Sequence, residues 1–154
     1  MPDLLVPLYK LPAHNDLTQR LATDGIIIRR AFPFDLSRTR RFIAETFSES
    51  WADETEAGFA RQPITCWIAV VNGEVKGFAC VDATMRGMFG PTGVCPSLRG
   101  KGVGKALLLH ALSGLWDMVT PMALSPAQVP LSSIARPAVP SRFRTASLAS
   151  TSIC

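Results

Sequence analysis

The sequence lacks the cysteine pattern of a metal centre or of a disulfide framework. Its four cysteines are scattered between positions 66 and 154 and form neither a CxxC pair nor a cluster with the two histidines. Zinc sites require closely spaced ligands of this kind, so we predict no metal site. Cys66 and Cys80 lie in apolar runs, where cysteine behaves as a small core residue. We therefore expect a reducing, cytoplasmic setting.

A long hydrophobic run is also missing. No stretch reaches the roughly 18 consecutive apolar residues of a membrane span. The first 12 residues lack the basic start and the continuous apolar stretch of a signal peptide. We therefore expect neither a membrane partner nor secretion.

Acidic residues are absent from one part of the chain. The formal net charge is +4, and residues 119–154 supply most of it through three arginines with no acid. Residues 24–118 hold eleven basic and ten acidic side chains and are nearly neutral. A nucleic-acid-binding domain needs a concentrated basic surface, so we expect no nucleic-acid partner.

Residues 24–118 carry alternating signals for strands and helices. Strands are indicated by β-branched and apolar runs, helices by apolar residues at helical spacing, and a hairpin by Asn72-Gly73. Residues 1–23 contain three prolines and are predicted to be an extended N-terminal extension with one helical turn. The predicted elements after it are strand 25–31, helix 34–51, helix 52–62, strands 65–71, 75–82 and 85–94, and helix 105–118.

The composition changes abruptly after Met118. Residues 119–154 hold five prolines and seven serines but no glycine. Closely spaced prolines prevent a helix of normal length, so an irregular or disordered tail is predicted. A shift of reading frame would produce the same change, and a natural tail and a non-native tail remain alternatives. In either case the fourth strand would lack a neighbour, and its unpaired edge would favour self-association.

A glycine-rich loop stands at the mouth of the last predicted helix, in the stretch GVCPSLRGKGVGKALLLHAL (93–112). The N-terminus of a helix presents unpaired backbone N–H groups and partial positive charge. Glycine lets this backbone approach a phosphate closely. The loop therefore predicts an anion site, in which three glycines alternate with or adjoin three basic residues: Arg99, Gly100, Lys101, Gly102, Gly104 and Lys105.

Two common phosphate-binding motifs do not fit this loop. A Walker loop requires GxxxxGK[ST], but Ala106 follows Lys105, and Arg99 stands where the first glycine belongs. A dinucleotide fingerprint, GxGxxG, would need its third glycine at Lys105 or Leu107. The loop therefore indicates neither a P-loop NTPase nor a dinucleotide-binding protein.

The pattern R/Q-x-x-G-x-G/A does fit, with Arg99, Gly102 and Gly104 at its defined positions. It resembles the acyl-CoA loop of the GNAT superfamily of N-acetyltransferases, and the order of elements over residues 24–118 resembles the first two-thirds of that fold. The resemblance implies an α/β (α+β) fold with a mixed sheet and flanking helices, incomplete at the C-terminus. It also implies that residues 99–105, Val103 included, bind the CoA pyrophosphate, and that Gly93 and Val94 pair with the pantetheine arm.

The resemblance further implies an acyl-CoA-dependent N-acetyltransferase. Acetyl-CoA would be the cosubstrate, and a primary amine of a small molecule or protein would attack the thioester directly. The family often uses a tyrosine on a later helix as general acid, but the only tyrosine is Tyr9, so the catalytic residues stay unassigned. The alternative is an inactive, truncated or frameshifted remnant that at most binds CoA.

Other reactive or aromatic side chains have simpler interpretations. Cys95 is interpreted as a small residue that ends a strand, since direct acyl transfer needs no enzyme thiol. His110 falls on an apolar helix face and is interpreted as a packed histidine. For four acids of the second helix, a solvated surface is favoured over a cluster that attracts an amine: Glu49, Asp53, Glu54 and Glu56. For three aromatic residues, a position in the core or along a groove is favoured: Trp51, Phe59 and Trp67.

Overall fold

Four strands form one sheet with two helices on each face in the computed structural model, which describes residues 5–119. The predicted α/β class is confirmed. The strands are β1 (Ile26–Arg30), β2 (Cys66–Val71), β3 (Glu74–Val81) and β4 (Phe89–Val94). The helices are α1 (Asn15–Thr23), α2 (Leu36–Thr46), α3 (Glu49–Phe59) and α4 (Val103–Val119). Short 3-10 turns occupy Leu8–Lys10, Pro33–Asp35 and Pro96–Leu98.

The strands follow the order β1-β2-β3-β4, and each pairs antiparallel with the next within the described residues. The predicted hairpin between β2 and β3 is confirmed. Asn72 has φ 49° and Gly73 has φ 81°, so both adopt the left-handed conformation that a two-residue turn requires. Glu74 pairs with Val71 as the first residue of β3, one residue before the predicted start of this strand.

The sheet separates two apolar layers. Alternate side chains of β2 point to opposite faces, so Trp67 and Ala69 join α1 and α4 in one layer, while Cys66 and Ile68 join α2 and α3 in the other. Because both faces of β2 are covered, its sequence is continuously apolar. The β2 strand is therefore the centre of the core.

The N-terminal segment differs from the expected extended lead-in. Residues 15–23 form the helix α1, and Leu21 is completely buried in the layer beneath α4. Leu17 and Leu21 are one helical turn apart, so one apolar edge suffices to fix the helix. The extended interpretation is wrong for this stretch because tertiary packing of a short amphipathic helix outweighs the proline-rich sequence before it.

The boundary between α2 and α3 also differs from the prediction. The α2 helix ends at Thr46, and α3 begins at Glu49 after Ser48, whose hydroxyl accepts a hydrogen bond from the Trp51 N–H at 3.2 Å. A serine cap of this kind satisfies one free N–H group of the first turn. The α3 helix ends at Phe59, before Pro63.

A buried carboxylate fixes the connection from β1 to α2. Asp35 is fully buried and accepts hydrogen bonds from Arg29 at 2.7 and 3.0 Å, from the Phe32 N–H at 2.7 Å and from Arg38 Nε at 2.8 Å. Burial alone would raise its pKa, but the hydrogen bonds from Arg29, Phe32 and Arg38 outweigh burial and lower the pKa to about 2. The connection is thus held by charge-assisted bonds.

Some predictions lie outside the described residues. They include the irregular or disordered tail at 119–154, apart from Val119 at the end of α4, and the non-native origin of that tail. Over residues 5–119, no helix is long and apolar enough to cross a membrane. The same part of the chain contains no cluster of three or more potential metal ligands.

Candidate functional site

The connection from β4 to α4 is a short, sharply turned loop. Leu98 and Val103 are buried on either side of it and anchor it to the core. Between them, Gly100 has φ +80° and Gly102 has φ +88°. Residues with a Cβ rarely adopt these angles, so the two glycines determine the path of the loop.

The loop forms the wall of a cavity of about 420 Å³, which we call the loop cavity. Seven of the nine residues predicted to bind the cosubstrate line it, together with Leu98: Val94, Arg99, Gly100, Gly102, Val103, Gly104 and Lys105. Gly93 and Lys101 are not part of this wall. Both the end of β4 and the start of α4 therefore line the cavity.

The start of α4 faces the same cavity. The first turn closes with the Ala106 N–H bonded to the Gly102 carbonyl at 3.0 Å, and the N–H groups before Ala106 lack partners within the helix. A Cβ at Gly104 would come no closer than 3.7 Å to Val94. The absence of that Cβ leaves the backbone of the first turn open to a ligand.

Positive charge surrounds the loop. The side chains of Arg99, Lys101 and Lys105 are exposed, and within residues 5–119 none of them forms an ion pair. By contrast, Arg40 on α2 binds three acids of α3. Unpaired cations at a helix N-terminus favour an anionic ligand.

Gly93 has a packing role that the sequence did not indicate. A Cβ at this position would lie 2.5 Å from Cζ of Phe47, at the junction of α2 and α3. The Phe47 ring stacks on Trp51 at 5.6 Å between centroids and meets Phe78 edge-on at 5.8 Å. Gly93 therefore lets this aromatic group lie directly against β4.

The structure supports the simpler interpretation of His110. Its Nε2 lies 2.9 Å from Oγ1 of Thr18, and its ring meets His14 edge-on at 4.5 Å. Burial and the neighbouring His14 lower the pKa of His110. It therefore joins α4 to α1.

Cys95 lies immediately before the loop. Its Sγ is 3.3 Å from Oγ of Ser97, and this hydrogen bond, with smaller contributions from Lys76 and Arg99, lowers the thiol pKa. Among the described residues, the side-chain partner of the thiol is the Ser97 hydroxyl, which is not a general base that could activate it as a nucleophile.

The acids of α3 are largely paired. Arg40 binds Glu49, Asp53 and Glu56 at 3.3, 2.9 and 2.6 Å, and Glu54 accepts a hydrogen bond from Thr84. These contacts orient the acids, but one guanidinium offsets only one of their four negative charges and the Thr84 hydroxyl offsets none, so the surface of α3 stays acidic. Of the three aromatic residues, Phe59 and Trp67 lie in the core, whereas Trp51 is 38% exposed.

Residues of α1 reach the loop, which the interpretation of residues 1–23 as an extended segment did not predict. A Cβ at Gly102 would lie 3.1 Å from Cδ1 of Leu17 and 3.7 Å from Nη2 of Arg20. The only available signal was the pair of leucines one turn apart in residues 15–23. Tyr9, the only tyrosine of the chain, is 71% exposed in the first 3-10 turn.

A family model, described as the acetyltransferase (GNAT) family, matches residues 29–116, which is more than half of the chain. The match contains α2, α3, all of β2, β3 and β4, the glycine loop and most of α4. A comparison with curated protein sequences finds no match.

Solved structures resemble this chain at low sequence identity, and two of them, with TM-scores of 0.53 and 0.50, show the same fold. The GCN5-related glucosamine N-acetyltransferase region of a fungal multi-domain GH3 β-N-acetylglucosaminidase is 18% identical, with TM-score 0.53, over 71% of this chain and 15% of that one. A GCN5-related N-acetyltransferase from Sphaerobacter thermophilus is 23% identical, with TM-score 0.50, over 62% and 33%. A GNAT family acetyltransferase from Brucella melitensis, in complex with acetyl-CoA, is 21% identical, with TM-score 0.48, over 62% and 71%. The chain thus spans only a minor part of the first two proteins.

Proposed function

Because the chain belongs to the acetyltransferase (GNAT) family, we propose that it transfers an acetyl group from acetyl-CoA to a primary amine of a small molecule or a protein. The observation that carries this proposal is the loop cavity, where the backbone of a helix N-terminus, two left-handed glycines and unpaired cations face one space. A pyrophosphate is the part of acetyl-CoA that such a site binds.

The predicted binding residues divide into two groups. Residues 99–105 would bind the pyrophosphate through backbone N–H groups and the side chains of Arg99, Lys101 and Lys105. Gly93 and Val94 would pair with the pantetheine arm along the outer edge of β4. This role is supported by the pairing of β4 with β3 alone within the described residues, which leaves its other edge available.

The reaction requires no enzyme nucleophile. The amine nitrogen attacks the thioester carbonyl carbon, the new C–N bond forms, the C–S bond breaks and the thiolate leaves. The amine must first lose its ammonium proton, and the leaving thiolate must gain a proton. The proposal gives Cys95 no role in this reaction. It assigns no side chain to the removal of the ammonium proton or to the protonation of the thiolate. The buried free thiols of Cys66 and Cys80 support a reducing, cytoplasmic setting for the reaction.

A second candidate function is CoA binding without acetyl transfer. It is favoured by one observation: the only tyrosine, the residue type that often serves as general acid in this family, lies exposed before α1. Calorimetric titration with CoA and an assay of CoA release with a panel of amines distinguish the two functions. Binding with amine-dependent release supports the transferase, and binding without release for any amine supports the second candidate. Absence of CoA binding refutes both.

A further inference from the structure

A second cavity, of about 450 Å³, lies between α1 and the start of α4, and we call it the α1 cavity. It shares Gly102 and Lys105 with the loop cavity, so the two spaces meet at the glycine loop. Leu17 and Leu109 contribute apolar wall, and Arg20 contributes a guanidinium. Its size lies in the range of small-molecule sites, roughly 300–1,000 Å³.

Arg20 is directed at the glycine loop. Its Nη2 lies 3.7 Å from the position that a Cβ would take at Gly102. Asp16 also lines the cavity and stands four residues earlier on α1, a spacing at which opposite charges commonly pair. The two side chains form no ion pair, so the charge of Arg20 is available to a ligand.

The α1 cavity therefore adds a fourth cation to the loop from a different element. Within the part of the chain that the structure describes, neither Arg20 nor Lys105 is paired with an acid. The four basic side chains near the loop are Arg20, Arg99, Lys101 and Lys105. A pyrophosphate in the loop cavity accounts for Arg99, Lys101 and Lys105. Arg20 faces only the adjoining space, and Lys105 lines both cavities.

We propose that the α1 cavity binds the 3′-phosphorylated adenosine of CoA, with Arg20 on the 3′-phosphate, Lys105 between that phosphate and the pyrophosphate, and the purine against Leu17 and Leu109. The inference rests on the proposed function, since it extends the same ligand past its pyrophosphate. The phosphomonoester is a compact anion that an arginine fork binds well, and the purine suits an apolar wall. The α1 helix would thereby select CoA over dephospho-CoA, which lacks that phosphate.

Calorimetric titration of the whole chain with CoA and with dephospho-CoA tests the proposal. The unaltered chain should bind CoA at least about tenfold more tightly, the value expected for one charged hydrogen bond. Arg20→Met should weaken CoA binding by about tenfold and leave dephospho-CoA binding unchanged. Arg86→Met, which alters an exposed arginine in the loop between β3 and β4, is the matched control and should change neither affinity.

Different outcomes overturn different parts of the argument. Equal binding of CoA and dephospho-CoA by the unaltered chain refutes the α1 cavity as the 3′-phosphate site and leaves the proposed function intact. The same conclusion follows if Arg20→Met weakens both ligands equally. If the unaltered chain binds neither ligand, the proposed function fails as well.

A measurement on the unaltered chain covers the case in which Arg20→Met does not fold. Adenosine 3′,5′-bisphosphate should displace CoA at concentrations about tenfold lower than adenosine 5′-monophosphate requires, since only the former carries the 3′-phosphate. Equal competition by the two nucleotides refutes the proposal.

Discussion

Gly104 offers a way to separate ligand binding from folding. It is the second residue of α4, it lines the loop cavity, and its φ is not left-handed. A Cβ there meets only Val94, at an ordinary van der Waals distance of 3.7 Å. Gly104→Ala should therefore leave the unfolding free energy unchanged or raise it by up to about 1 kcal/mol, because alanine is the better helix former.

The same methyl group should impair ligand binding. If the first turn of α4 binds the pyrophosphate through its backbone, a side chain in the cavity keeps the phosphate from the N–H groups. A hydrogen bond to a charged group is worth about 1.5–3 kcal/mol, so CoA affinity should fall by about tenfold to a hundredfold. Gly104→Val, with a bulkier side chain, should lose at least as much.

Gly102→Ala is the contrasting variant. Its φ of +88° and a contact of 3.1 Å with Leu17 should cost stability as well as affinity, about 1–3 kcal/mol for the strained backbone. Gly87→Ala matches the strain, since Gly87 has φ +78° and no atom within 4 Å of its Cβ position, and should leave CoA affinity intact. Calorimetry with CoA and urea denaturation give both quantities. Normal CoA affinity in Gly104→Val would refute the assignment of the loop.

Three further predictions concern stability and assembly. Because the pKa of Asp35 is lowered to about 2, its bonds to Arg29 and Arg38 should stabilise the fold above pH 4 by about 2 kcal/mol. That stability should disappear as the pH falls toward 2. In urea denaturation, Asp35→Asn should remove this part of the pH dependence of the unfolding free energy. The same pH profile in Asp35→Asn and in the unaltered chain would contradict the prediction. Gly93→Ala should destabilise the fold by about 1–3 kcal/mol, because its Cβ would lie 2.5 Å from the Phe47 ring; an unchanged melting temperature would show that the ring moves freely. Self-association through the outer edge of β4 should appear as concentration-dependent sedimentation, and a monomer at every concentration would exclude it.

Local sequence determined much of the framework. Asn72-Gly73 determined the hairpin because both residues tolerate a left-handed backbone. The alternation of strands and helices over residues 24–118 followed from apolar periodicity, which depends on near neighbours alone. The glycine loop could also be predicted from the sequence, because Gly100 and Gly102 adopt positive φ angles that few other residues accept.

Tertiary structure alone decided how distant segments contribute to the site. The proximity of Arg20 to Gly102 and the packing of Phe47 on Gly93 join residues far apart in the chain, and no local pattern encodes such contacts. The α1 helix was missed for the same reason, since Leu21 reveals its role only when β1 and α4 cover it. A short helix gains most of its stability from packing rather than from its own sequence, so the part of the site that α1 builds exists only in the folded chain.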